Sequence, residues 1–373
     1  MLITLYICSQ VIVLCLIVLP IDSRLTAPFP RRTLSSKIQY LSQEAGMEPR
    51  SQIMEQANFW ASRVILTAAE LDVFTYLDSE PLTSSQCAEK IGSAPHATDR
   101  LLNALVGLGL LEKHQTLFSL SSRGALLSSR HPETMLPFAL HFNDLWGSWS
   151  RLTTVVREGK PAIRTGRPMD DARRKAFIRA MDVAGRELSI RIADTFGSPH
   201  FRRLLDIGGA SGTYTIAFLR KNPSMTAVLF DLPPVIEIAR ERIEAEGLAE
   251  RVLLAPGNFS TDTLPGGCDL ALLSAIVHQN SPEENLALFK KIHEALEPGG
   301  TLLIRDFVMD STRTMPKEGA LFALNMLVNT VAGDTFTLDD LSEALGQVGF
   351  VHIELSRGQD LQGDVVKAEK SPQ

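Results

Sequence analysis

LLDIGGASGTYTIAFL, residues 204–219, is the stretch whose reading decides the fold. A short apolar strand ends in Asp206, a turn carrying Gly208, Gly209 and Gly212 follows, and a helical run starts at once. Glycines in such a place permit a tight turn and let a ligand come close to the backbone. The pattern G-G-x-x-G after an acid is not the G-x-G-x-x-G that cradles a pyrophosphate. An acidic side chain there repels phosphate but can receive an ammonium group through ordered water. The stretch points to a nucleotide-like cofactor.

Outward from this point strands and helices alternate. Strands are expected at 203–207, 226–230, 251–255, 268–277 and 301–306, with helices at 212–221, 234–246 and 282–297. Strands apolar throughout and joined by helices indicate a parallel sheet covered on both faces. FVHIELSR (350–357) and GDVVKAEK (363–370) read as an antiparallel hairpin at the sheet edge.

The strand ends carry the chemistry. Asp231 closes the second strand, 25 residues beyond Asp206, a suitable place to accept both hydroxyls of a ribose. Asn258 and Phe259 follow the third, offering a hydrogen bond to an adenine amino group and a ring to pack on it. The fourth, in LLSAIVHQNSPEEN (272–285), runs into His278, with helix-starting residues directly behind. Asp306 ends the fifth. Neighbouring parallel strands lie about 4.8 Å apart, so the two side chains are expected to meet. A carboxylate on one ring nitrogen fixes the tautomer and leaves the other free to take a proton.

The N-terminal half is helical. Ile53, Phe59, Trp60, Val64, Leu66, Leu71, Val73 and Phe74 recur at helical spacing. Thr83-Ser84-Ser85 caps one helix, Ala97-Thr98-Asp99 begins another, and LLEKHQTLFSLS (110–121) alternates like a hairpin. Helix, turn, helix, hairpin is the outline of a winged helix. Its would-be recognition helix, 97–107, sets Arg100 against Asp99 and is otherwise rich in leucine, whereas a groove-reading helix needs a basic, polar face. A packing or dimerisation module fits better, and no nucleic-acid partner is expected. Residues 136–200 form a helical bridge, with Phe142, Trp146 and Trp149 expected in the core.

The 373 residues carry a net charge of −6, which gives no general attraction to nucleic acid or acidic membrane. The four cysteines have neither metal-ligand nor disulfide-framework spacing, so no metal is expected and the body reads as a reduced, cytoplasmic-type protein. Residues 1–21 are uncharged and long enough to cross a bilayer core. A membrane anchor and an artefact of start-site choice (Met47 opens a natural-looking beginning) both stay open. A cleaved signal peptide is disfavoured by the missing basic residues before the apolar run. Membrane contact is expected only if this segment is a true anchor. Residues 22–50 read as a linker.

In combination LLDIGGASG, FDLPPV, GNF, the histidine after the next strand, EALEPGGTLLIRDFV and ILTAAELDVFTYL with TDRLLNALVGLGLLEK resemble the S-adenosylmethionine-dependent O-methyltransferases of the caffeic acid and acetylserotonin type. The resemblance runs from about residue 51 to 368. It implies an α/β protein: a Rossmann-like class I methyltransferase domain over 201–368 and a mostly α winged-helix dimerisation domain over 51–135, assembled as a homodimer. By resemblance Asp206, Gly208 and Gly209 surround the methionine part of the cofactor, Asp231 holds the ribose, and Asn258 and Phe259 flank the adenine. His278 matches the general base and Asp306 the first of two acids orienting it. Met181, Asn325 and Met326 match walls of the acceptor pocket.

The sequence departs from the family pattern at three places. The acid usual after the base is Gln279, and the aspartate usual in the adenine loop is Asn258. The second orienting glutamate falls at Thr335, with Asp334 beside it. The expected activity is methyl transfer to a hydroxyl of a small, aromatic acceptor. The alternatives are a cofactor-binding relative doing decarboxylation or hydroxylation, and a winged-helix regulator that senses the cofactor.

Overall fold

The computed structural model describes residues 49–160, 170–198, 200–358 and 364–372. The expectations for the apolar segment and for residues 22–48 therefore lie outside the described residues. The chain divides into two compact units, Met1–Trp60 and Ala61–Gln373. In the first, helix α1 (Pro49–Ala57) buries no residue, and Ile53, Phe59 and Trp60 are exposed rather than part of a core.

The second unit begins within α2 (Trp60–Glu70), from Ala61, and continues with α3 (Val73–Ser79), β1 (Leu82–Thr83), α4 (Ser84–Ile91) and α5 (Pro95–Gly107), then the hairpin β2 (Leu111–His114) and β3 (Leu117–Leu120) and a short α6 (Ser122–Ala125). Thr83 caps α4 as expected, its hydroxyl accepting from Gln86 N while the Gln86 side chain accepts from Thr83 N. α5 starts at Pro95, two residues earlier than expected, because proline fits a first helical turn. Leu102 and Leu105 of α5 are buried against Phe74, Leu82 and Phe118, so the leucine face of this helix is spent on packing.

The bridge comprises α7 (Leu136–Trp149), α8 (Leu152–Glu158) and α9 (Asp171–Phe196). Trp146 and Trp149 are half-buried, whereas Phe142 is 49% exposed, packing edge-on to Phe138 instead of entering the core.

The remainder alternates as the apolar runs indicated: β4 (Arg203–Ile207), α10 (Thr213–Lys221), β5 (Thr226–Asp231), α11 (Pro233–Ala245), β6 (Val252–Pro256), β7 (Cys268–Ser274), α12 (Pro282–Ala295) and β8 (Leu296–Arg305). After β9 (Val308–Met309), α13 (Lys317–Asn329), β10 (Phe336–Thr337) and α14 (Leu338–Gln347), the chain ends in β11 (Phe350–Ser356) and β12 (Val365–Lys370). One seven-stranded sheet has the order β6-β5-β4-β7-β8-β12-β11. β12 is antiparallel to both neighbours, and the other pairs are parallel. The expected hairpin exists, but β12 inserts between β11 and β8.

Side chains alternate between the two sheet faces. Leu205, Ile207, Val228 and Phe230 enter one apolar layer, and Leu204, Ala227, Leu229 and Leu272 the other. Chain order runs outward from β4 through β5 to β6, then returns to β7 on β4's other side. The sheet therefore reverses its winding between β4 and β7, and ligands of open α/β sheets bind at the carboxyl end of such a switch.

Candidate active site

Asp206 shares its sheet face with Leu204, which turns it toward α10. There its Oδ2 accepts from Thr215 Oγ1 at 2.6 Å, and the residue is only 2% exposed. Burial, with the charge of Asp231 adding to it, outweighs the Thr215 hydrogen bond and pushes its carboxyl up to about 6. Asp231 ends β5. Its Oδ2 accepts from Ala210 N at 2.9 Å and its Oδ1 from Leu232 N at 2.7 Å. Burial raises this carboxyl too, against those two hydrogen bonds.

Gly208 sits at φ +69°, and its N–H donates to Phe230 O at 2.8 Å, tying the turn to the end of β5. A Cβ here would stand 2.6 Å from Ile276 Cδ1 and 3.9 Å from Phe259 Cε1. Glycine thus lets three strand ends close on one another: the β4 turn, the loop after β6 and the segment after β7. At Gly209 a Cβ would meet Leu229 Cγ at 2.8 Å and Asp206 Cγ at 3.0 Å. Asn258 spends its side-chain oxygen on Ser260 N at 2.9 Å, while its own N–H donates to Asp262 Oδ2 at 2.8 Å.

His278 does not end a strand. β7 stops at Ser274, because Ala275 takes φ +58° after donating to Arg305 O, and the chain turns off the ladder. The apolar run continues through buried Ile276 into a single 3-10 turn, Val277–Gln279, that presents the imidazole. Two asparagines hold this turn. Asn285 Nδ2 donates to Val277 O at 3.0 Å, and Asn280 Nδ2 donates to Asn285 Oδ1 at 3.0 Å, both residues being buried. Ser281 caps α12 directly behind, in a reciprocal box with Glu284. Sequence reading registered NSPEEN as a helix start and missed the anchoring role of its asparagines.

The expected meeting of His278 and Asp306 is present. Nδ1 lies 2.9 Å from Oδ1 and 3.0 Å from Oδ2 of Asp306, whose oxygens also accept from His278 N at 3.3 Å and Phe307 N at 2.9 Å. Burial alone would raise the Asp306 carboxyl, but His278, Arg305 and the Phe307 N–H overcome it and hold it below the ordinary value. The carboxylate therefore stays ionised. Phe322 of α13 meets the imidazole edge-on, with centroids 4.8 Å apart. One turn further along α13 stand Asn325, whose Oδ1 accepts from Trp149 Nε1 at 2.9 Å, and buried Met326. Met181 lies half-buried on α9.

No second acid reaches the imidazole among the described residues. Asp334 is 56% exposed, near Arg313 at 3.8 Å, and spends an oxygen on Thr335 N. Thr335 is buried, its carbonyl accepting from Arg313 Nη1 at 2.8 Å. The departure noted at this position thus leaves Asp306 as the acid beside the imidazole among the described residues.

Residues 149–351 match the O-methyltransferase domain, and residues 54–130 match the O-methyltransferase dimerisation domain. The chain belongs to the O-methyltransferase family. Among the relatives of this O-methyltransferase is the tetracenomycin polyketide synthesis 8-O-methyl transferase TcmO of Streptomyces glaucescens. It is 30% identical over 303 residues, spanning 79% of this chain and 89% of that protein. The acetylserotonin O-methyltransferase of Gallus gallus is 28% identical over 318 residues, spanning 80% and 91%. The crystal structure of human N-acetylserotonin methyltransferase in complex with SAM superposes with a TM-score of 0.78 at 24% identity, covering 87% of this chain and 99% of that one, and shows the shared fold. The N,N-8-amino-8-demethyl-D-riboflavin dimethyltransferase of Streptomyces davawensis superposes with a TM-score of 0.75 at 28% identity, covering 87% and 100%.

This O-methyltransferase is thus an S-adenosylmethionine-dependent enzyme of class I fold with a dimerisation domain. Asp206, buried beneath the glycine turn with its carboxyl raised, suits a cofactor bearing a cationic ammonium group, and Asp231, each of whose oxygens accepts one N–H, keeps lone pairs for hydroxyl groups. Among the described residues no helix is long and apolar enough to cross a membrane, and no group of three or more His, Cys, Asp or Glu is placed to hold a metal ion.

Proposed function

We propose that this enzyme methylates a hydroxyl of a small aromatic acceptor, with His278 as the general base and Asp306 as the acid that orients it. The observation that carries the reading is the double approach of Asp306 to Nδ1, which suits a proton on Nδ1 and, in the neutral ring, leaves Nε2 to accept one. An aromatic hydroxyl, with a pKa near 10, is a more tractable acid for an imidazole than an aliphatic alcohol. S-adenosylmethionine supplies an electrophilic methyl group on a sulfonium when bound.

The chain's own residues bind and align. Asp231 is suited to the ribose hydroxyls, because its two oxygens each take only one backbone N–H and keep lone pairs for more. Phe259, beside Gly208, is suited to pack on the adenine, with the Asn258 amide at its rim. Asp206 sits beneath the turn at 2% exposure, so its influence on the methionine end is that of a buried negative charge more than a direct contact. Phe322, Asn325, Met326 and Met181 would form the acceptor side. Holding the oxygen, the methyl group and the base in line can be worth about 7–11 kcal/mol.

The test is incubation of the purified dimer with S-adenosylmethionine and a panel of hydroxylated aromatics, following S-adenosylhomocysteine. Aromatic amines belong in the panel, because one relative that is 31% identical over 302 residues is named as an N,N-dimethyltransferase. Product formation that needs both a hydroxylated acceptor and His278 supports the proposal; turnover with amines alone overturns it.

A further inference from the structure

A charged cluster stands where α9, the glycine turn and α11 meet, apart from the base. Asp182, directly after Met181, accepts from Thr213 Oγ1 at 2.7 Å and from Arg242 Nη1 on one oxygen, and from Arg186 Nη2 at 2.9 Å on the other. Arg242 Nη1 also donates to Ser211 Oγ at 2.9 Å and to Thr213 Oγ1 at 3.0 Å. Ser211 belongs to the turn that follows Asp206, Thr213 opens α10 directly behind it, and Arg242 belongs to the helix that follows Asp231. One carboxylate therefore fastens three elements: the helix bearing Met181, the cofactor turn, and the helix behind the second strand-end acid.

Stability alone is a weak reason for this arrangement. Ion pairs taken out of water are often no more stabilising than apolar residues of the same volume, while their directional bonds fix register. Tyr214 Oη is buried without a hydrogen-bond partner, 3.8 Å from where a Cβ on Gly185 of α9 would stand. Away from Asp182 the α9–α10 contact is apolar, with Leu188 and Ile192 sharing a cluster with Ile216 and Leu219, and ends where Lys221 Nζ donates to Asp194 Oδ1 at 2.7 Å, so the Asp182 bonds are the polar tie at the glycine-turn end of α9.

We propose that Asp182 is a positioning residue that couples the cofactor turn to α9, so that a filled cofactor site fixes the wall against which the acceptor is held. The inference rests on the reading of Met181 as part of that wall. Coupling of this kind is reciprocal, so acceptor and cofactor each tighten the other's binding by the same factor.

Hydrogen exchange of the full chain with and without S-adenosylhomocysteine tests it, without knowledge of the acceptor. In the wild type the ligand should slow exchange both in the turn at 208–213 and in α9 around 178–190. In Asp182→Asn, which keeps the shape and removes the charge, the turn should still be protected and α9 should not, with affinity weakened about 5-fold or more. Thr213→Val should resemble Asp182→Asn and Thr213→Ser the wild type, a pattern that a general packing role would not produce. If Asp182→Asn fails to fold, the Thr213 pair carries the same comparison. Protection of α9 that survives in the variants, or that is missing in the wild type while the turn is protected, overturns the coupling and leaves the cofactor site standing. Absence of any protection or binding in the wild type overturns the cofactor-site reading and the coupling with it.

Discussion

The imidazole Nδ1 of His278, in the 3-10 turn after β7, lies 2.9 Å from one carboxylate oxygen of Asp306, directly after β8, and 3.0 Å from the other. An ionised carboxylate only accepts hydrogen bonds, so this contact requires a proton on Nδ1.

Two substitutions follow from that requirement. His278→Ala removes the base and should lower kcat by roughly 10²–10⁴-fold. The dissociation constant for S-adenosylhomocysteine, measured by calorimetry, should stay within about twofold. Asp306→Asn keeps the shape but can offer an N–H to Nδ1, which moves the ring proton to Nε2, where it blocks proton acceptance. Its kcat should approach that of His278→Ala at unchanged cofactor affinity. A kcat for Asp306→Asn near the wild-type value would show that the tautomer does not matter.

Asp206 sets a pH dependence of opposite sign to the common carboxylate case. Its folded pKa is raised, from 3.8 to about 6, mainly by burial. The native state therefore holds a proton that the unfolded chain has already lost between these values. Stability from this group is full below about pH 4 and falls as pH rises toward 6, an effect of about 3 kcal/mol. Asp206→Asn, still able to accept from Thr215, should melt higher than the wild type at pH 7.5, with the difference gone by pH 4. A cationic ligand at the turn favours the ionised form. S-adenosylhomocysteine, through its ammonium group, should accordingly bind the wild type more tightly as pH rises through 6, and this trend should be absent in Asp206→Asn.

The sheet was legible because its strands are apolar throughout and its helices periodic, and the winged-helix outline because Thr83 carries its own cap signal. The limits of legibility have physical causes. SAIV continues the apolar run of β7, yet Ser274 is the last ladder residue, and nothing in an alanine announces φ +58° at Ala275. Phe142 was expected inside on size alone, although burial depends on which face of α7 turns inward. The Asp182–Arg242 bond joins residues 60 apart on two helices, a pairing that no local pattern encodes. Asp306 was legible because strand-end position itself carried the prediction.

Asp231 divides binding from chemistry. Replacing it with alanine releases the Ala210 and Leu232 N–H groups and removes the acceptor suited to a diol. Each hydrogen bond to a charged group is worth about 1.5–3 kcal/mol. Cofactor affinity should then fall by roughly 10- to 100-fold, while kcat at saturating cofactor stays near the wild-type value. A large loss in kcat with affinity intact would place this acid in the chemical step instead.

Gly333 offers a way to disturb the base without touching it. A Cβ there would stand 2.4 Å from His278 O and 3.1 Å from Gln279 Cα, so the loop containing Thr335 abuts the turn that presents the imidazole. Backbone atoms cannot yield as a flexible side chain can, and overpacking of this kind costs typically about 1–3 kcal/mol. The strain should appear where the turn is free to move, which is the His278 ring against Asp306, since Val277 O is pinned by Asn285. Gly333→Ala should therefore lose kcat by at least about tenfold, consistent with the penalty for slight misplacement of a reacting group. The remote cofactor turn should bind S-adenosylhomocysteine as before. Equal losses in both quantities would mean that the insertion disrupts the domain as a whole and that the Gly333 contact does not specifically hold the base in place.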